Sequence, residues 1–119
     1  MTAIEPELYV RRGNDAVEFY KAAFDAVELH RVGDTEIVAQ LAVDDARFWV
    51  HDRDADPAPG VRLLLIVEDP AAVAAKALAA GATEVSPVGE EHGWLVGRIE
   101  DPFGHSWEIA KPLVPWLPT

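Results

Sequence analysis

The sequence predicts an α+β fold of two tandem βαβββ modules, forming a cupped mixed sheet with the helices on its outer face. Three observations carry that expectation. A strand-like segment, a helical-period segment and three further short strand-like runs occur before residue 52, and the same order restarts at residue 61. Between the two sets lies Asp52–Gly60 (DRDADPAPG), a polar stretch rich in Pro, Gly and Asp that reads as a connection. When the two helical segments are aligned, Val17 falls over Val73 and Ala23-Phe24-Asp25-Ala26 over Ala79-Ala80-Gly81-Ala82, an offset of about 56 residues. The expected organisation is one domain: module one at 1–52, linker at 53–60, module two at 61–111, and an apolar, proline-rich tail at 112–119.

Each element has a local reason. Residues 4–10 alternate, with Pro6, Leu8 and Val10 on one side and Glu5, Glu7 and Tyr9 on the other, the pattern of a strand with two unlike faces. From Asn14, a good N-cap residue, Val17, Tyr20 and Phe24 recur at helical spacing, with Asp15 and Glu18 near the positive end of the helix dipole. Asp25 then stands at C′, a position usually given to glycine. Strands are expected over Ala26–Val32, Glu36–Val43 and Ala46–His51, with turns at Gly33-Asp34 and Asp44-Asp45. In the second module Val61–Val67 is a near-continuous apolar strand. Asp69-Pro70 supplies an N-cap followed by proline at the first helical position, and Gly81 ends the alanine-rich helix. Thr83–Ser86, Gly93–Glu100 and Ser106–Ala110 complete the set, the last two separated by the turn Asp101-Pro102-Phe103-Gly104. The tail, PLVPWLPT, holds three prolines and so continues neither a strand nor a helix; burial is expected for Leu113, Trp116 and Leu117.

Composition narrows the function classes. At 119 residues the chain is long enough for a self-sufficient core, and half its residues are apolar. It has no cysteine, so disulfides, thiolate ligands and a cysteine nucleophile are absent together. With 21 acidic against 10 basic residues the formal net charge is −11, and the summed field repels phosphate backbones and anionic membrane surfaces. Nucleic acid and membrane are therefore not expected as partners. The opening MTAIEPELYV carries no basic-then-apolar leader, and the expected location is the cytoplasm. No Gly-rich phosphate loop, G-x-S-x-G elbow or H-E-x-x-H pair occurs.

Three segments carry a resemblance. They are Ala16-Val17-Glu18-Phe19-Tyr20, Phe24-Asp25-Ala26, and the run from Gly97 to Glu108, GRIEDPFGHSWE. Together they resemble the vicinal oxygen chelate superfamily of glyoxalases, bleomycin-resistance proteins and dioxygenases, most closely its PhnB-like branch, over residues 4–111. Asp25 departs from the family, which usually has glycine there. The resemblance implies paired βαβββ modules, a dimer, and a cup that in enzyme members holds a divalent metal on the first, fourth, fifth and eighth strands. Transferred one at a time, those positions are Glu5, Trp49, Arg62 and Glu108 in this sequence.

That quartet is chemically unlike a metal site. An indole does not ligate, and a guanidinium repels a cation from the place the metal would take. The expectation is a metal-free cup in which Arg62 stands in for the metal and pairs with Glu5 and Glu108. A divalent metal held by the two carboxylates is the alternative.

The candidate cavity residues are Glu5, Glu7, Tyr9, Trp49, His51, Arg62, Trp94 and Glu108. For Glu5 and Glu7 the competing role is plain solvent exposure at a strand end. For Tyr9, Trp49 and Trp94 it is ordinary core packing. Glu108 is flanked by Trp107 and Ile109, which turn it to the opposite face, and it is the candidate general base. His51 shares the face of Trp49. His105 suits a structural turn, His92 a loop over the cup, and His30 a solvated strand. The resemblance, with these residues, implies a small-molecule-binding homodimer without a cofactor, its ligand cationic or aromatic. The alternative is a metal-dependent lyase, isomerase or dioxygenase acting on a small organic substrate.

Overall fold

The computed structural model describes residues 1–53 and 60–114. Its elements run β1 (Glu7–Val10), α1 (Gly13–Phe24), β2 (Val27–Val32), β3 (Val38–Val43), β4 (Ala46–Asp52), β5 (Arg62–Ile66), α2 (Pro70–Ala80), β6 (Thr83–Glu91), β7 (Trp94–Glu100) and β8 (Ser106–Pro112). This is the α+β βαβββ repeat the sequence predicts. The strands form two four-stranded sheets, β1-β4-β3-β2 and β5-β8-β7-β6, each with one parallel pair (β1 with β4, β5 with β8) and two antiparallel pairs. In each module the helix carries the chain from one edge strand to the other, and the last strand returns between them, parallel to the first.

Alternation decides which face of each sheet is dry. Leu8 and Val10 of β1, Phe48 and Val50 of β4, and Trp107 and Ile109 of β8 are buried in one cluster with Val17, Tyr20 and Phe24 of α1 and Ala77 of α2. Phe48 and Trp107 come from different sheets, yet their ring centroids are 5.8 Å apart. The inner faces of the two sheets therefore meet through one core. Tyr20 lies at the centre of this core, 5.3 Å from Phe48 and 5.6 Å from Trp107.

Several boundaries depart from sequence expectation for identifiable reasons. Helix α1 begins at Gly13 instead of being capped by Asn14. Its first N–H donates to Asp52 Oδ2 at 2.9 Å, a cap supplied from β4, while Arg12 holds the N-cap in the left-handed region at φ 52°. Asn14 instead accepts from Arg31 on β2. A Cβ on Gly13 would stand 2.8 Å from Asp52 Cβ and Ile37 Cγ1, so the close approach of that cap requires glycine. Strand β6 runs to Glu91 rather than ending at Ser86. Register shifts around Ser86 let it absorb Pro87, which has no N–H to give the ladder. Asp25 does occupy the left-handed C-cap, at φ 57° and ψ 33°, and Asp69 caps α2 by accepting from Ala72 N–H at 3.1 Å.

His105 ties the modules together. It is buried, its Nδ1 accepts from Val61 N–H at 3.1 Å, and its Nε2 lies 2.9 Å from the Tyr9 carbonyl. Because the Val61 N–H needs a lone pair at Nδ1, the hydrogen sits on Nε2 and donates to Tyr9. The turn position read from sequence is thus a bridge between β1 and β5. Leu113 of the tail is exposed, against expectation, while Trp116, Leu117 and linker positions 54–59 lie outside the described residues.

Candidate functional site

Each sheet offers one open face, and the predicted site residues divide between them. On the first sheet, Glu5 lies just before β1, next to Trp49 of β4 and Gln40 of β3, which are register partners. Its Oε1 accepts from Gln40 Nε2 at 2.7 Å and from Trp49 Nε1 at 2.8 Å. Gln40 is buried, and this bond satisfies its amide donor. Glu7 and Tyr9 point outward from β1. The Tyr9 ring stands 5.0 Å from that of His51, its register partner, and the Arg53 guanidinium lies 5.2 Å from the Tyr9 centroid. Four of the predicted residues, Glu5, Tyr9, Trp49 and His51, are thus brought together on this face, beside Glu7.

On the second sheet Glu108 and Trp94 share a cavity of about 260 Å³ with Leu64, Glu91, His92, Val96, Arg98 and Ala110. Its ionic centre is Arg98, which faces Glu108 across the β7–β8 ladder. Arg98 Nε is 3.2 Å from Glu108 Oε2, and its Nη1 and Nη2 donate to the two oxygens of Glu91 at 3.0 and 3.4 Å. The hydrogen bond from Arg98, and then its charge, hold the Glu91 carboxyl below the usual carboxylate range. Reciprocally, Glu91 raises Arg98 above an ordinary arginine. Arg98 and Glu91 were not among the residues the sequence singled out.

Arg62 does not make the predicted pairs with Glu5 and Glu108. It lies on the outer face of β5, exposed, opposite Ser106; register puts Leu64, not Arg62, opposite Glu108. Glu5 is held by neutral donors and Glu108 by Arg98, and among the described residues Arg62 makes no ion pair. The cavity around Glu108 has no lining residue from module one, so the two groups do not form one closed cup within the chain.

Of the four transferred positions, Trp49 donates its only polar hydrogen to Glu5 and has no lone pair to offer, and Arg62 is a permanent cation, so Glu5 and Glu108 are the two with oxygens to offer an ion. Among the described residues no three of His, Asp and Glu come together to hold an ion. No described helix is long and apolar enough to cross a membrane.

This paired-module architecture matches known proteins. The chain belongs to the glyoxalase-like domain family, whose model matches residues 8–110. An uncharacterised protein of Mycobacterium tuberculosis is 34% identical over 128 residues, a match covering 93% of this chain and 75% of that one. The crystal structure of the Arabidopsis thaliana gene product At5g48480 is 34% identical, with a TM-score of 0.71 over 92% of this chain and 96% of that one. A glyoxylase/bleomycin resistance protein/dioxygenase domain from Frankia sp. EAN1pec shares the fold, with a TM-score of 0.77 at 22% identity over 94% and 93% of the two chains.

Proposed function

We propose that this chain is a small-molecule-binding member of the glyoxalase/bleomycin-resistance group, of the PhnB-like branch. Its cup forms between two copies of the chain, works without a metal and operates in the cytoplasm. The observation that carries the metal-free reading is the engagement of Glu5: the carboxylate at a transferred ligand position is held by the N–H groups of Gln40 and Trp49. Burying Gln40 against it ties Oε1 in place, and the neighbouring Trp49 has no lone pair to add a second ligand beside Oε2.

The division of the site supports a homodimer. Glu5, Tyr9, Trp49 and His51 belong to a face of the first sheet, and Glu108, Arg98 and Trp94 to a face of the second. A second copy can place the first face of one chain opposite the second face of the other. Leu64 and Ile66 of β5, 56% and 52% exposed, supply apolar surface for that contact. The rival reading, an enzyme with Glu108 as a metal ligand or alone as general base, is weakened by Arg98, which pairs with Oε2 of that carboxylate.

The test is isothermal titration of the protein with zinc, nickel and manganese salts. No stoichiometric binding tighter than about micromolar is expected. A one-to-one site of nanomolar affinity that disappears in Glu5→Ala would overturn the metal-free reading.

A further inference from the structure

The two carboxylates that share Arg98 are not equivalent. Glu108 lies mid-strand, its place fixed by the register with Arg98, and its side chain is only 23% exposed. Glu91 is the last residue of β6, beside the tip His92-Gly93, where both residues have positive φ (50° and 84°). Its side chain is 44% exposed, yet it takes both terminal nitrogens of the guanidinium, the fork that matches a carboxylate. An exposed pair of this kind contributes little to stability, so Glu91 is replaceable by another oxyanion at small cost.

We propose that Glu91 occupies the place of the ligand's own oxyanion: a small carboxylate with an apolar, ring-sized body displaces Glu91 from the fork of Arg98. The body then lies over Leu64, Val96 and Ala110, beside Trp94. This inference rests on the small-molecule reading above and adds the ligand's charge to it. Exchange of one carboxylate for another keeps Arg98 paired and returns Glu91 to water. An amine directed at Glu108 would instead stand next to a permanent guanidinium already bound to that carboxylate, cation against cation. The cationic or aromatic ligand expected from sequence was set without Arg98, which was not among the residues weighed there.

The experiment is an NMR titration of the full chain with phenylacetate, 2-phenylethylamine and phenylacetamide, following the Arg98 Nε–H and Trp94 indole N–H resonances. Phenylacetate should bind saturably and more tightly than the other two. Glu91→Gln removes the internal competitor and one like charge, and should tighten phenylacetate by roughly threefold, the effect of one charge about 6 Å away in a water-like dielectric. Arg98→Leu should abolish the binding and Arg98→Lys, which keeps the charge and loses the fork, should weaken it, each with the remaining spectrum dispersed as in the parent. Glu18→Gln, an equal charge change on the exposed face of α1, should leave the affinity as it was. Tighter binding of the amine, or weaker phenylacetate binding in Glu91→Gln, overturns the proposal. If the amide binds as well as the acid and Arg98→Leu is indifferent, the oxyanion inference fails while the small-molecule pocket stands. If none of the three binds, both fall.

Discussion

Tyr20 and Asp101 show how much of this fold rests on a few polar atoms. The Tyr20 hydroxyl, in the middle of the core, donates to Asp101 Oδ2 at 2.5 Å, and Trp107 Nε1 donates to the same oxygen at 2.9 Å. Asp101 Oδ1 takes the N–H groups of Phe103 and His105, so the carboxylate organises the turn before β8 while fixing α1 to it. Burial, and after it the charge and hydrogen bond of Asp101, push the Tyr20 phenol well above 10. A phenol whose folded value is raised contributes stability that is complete below the unfolded value and is lost as pH rises past it. In a Tyr9→Phe variant Tyr20 is the only tyrosine, since the chain has two. Its ultraviolet tyrosinate signal should be missing at about pH 10–11 and should appear only together with unfolding. A reversible ionisation near pH 10 with the fold intact would contradict this. At this scale the sequence reveals Glu5, Trp49 and Glu108 through the family motifs, but not their partners. Those partners were within reach of turn counting: Arg98 and Glu108 are equidistant from Phe103, and Gln40 and Trp49 from the Asp44-Asp45 turn. Arg62 does stand on the open face of β5, but its expected pairs are not made, because motif transfer assigns a strand position without its cross-strand register.

Elements were legible where periodicity and capping agree, and less so where a distant residue intervenes. Helix α2 runs from Pro70 to Gly81's cap as its sequence signals say, whereas α1 takes its first hydrogen bond from Asp52, which no local pattern announces. Strand β6 was shortened in the sequence reading because Pro87 breaks the alternation that its bulges accommodate. Asp25 offers a test of what ends α1. It combines a left-handed backbone with an ion pair to Lys76 of α2, which links the two helices. If the backbone dominates, Asp25→Ala should destabilise by about 1–2 kcal/mol, since alanine carries the left-handed penalty. Asp25→Gly should then stay within about 1 kcal/mol of the parent, glycine relieving the strain while the exposed ion pair is lost. Urea unfolding of both variants measures this, and equal losses would assign the effect to the ion pair.

For the whole molecule, the repeated module explains both the single core and the divided site. The inner faces of the two amphipathic sheets share one core with α1 and Ala77 of α2, and each sheet keeps one open face. His105 holds the end of β1 to the start of β5. Between the modules a cleft of about 530 Å³ is lined by Ile4, Pro6, Phe48, Leu63, Leu64 and Trp107 among others, an apolar surface adjoining the exposed side of β5. The sequence shows the two modules clearly because their periodicity repeats. It does not show how the faces are oriented, because that depends on Phe48 meeting Trp107 across the core. The central claim is that a second copy completes the cup without a metal, and sedimentation equilibrium in the presence of EDTA tests it most directly. The account predicts a species of twice the 13.0 kDa chain mass, reduced to the single chain by Leu64→Glu on the exposed side of β5; a parent protein that stays at 13.0 kDa at tens of micromolar under the same conditions would contradict it.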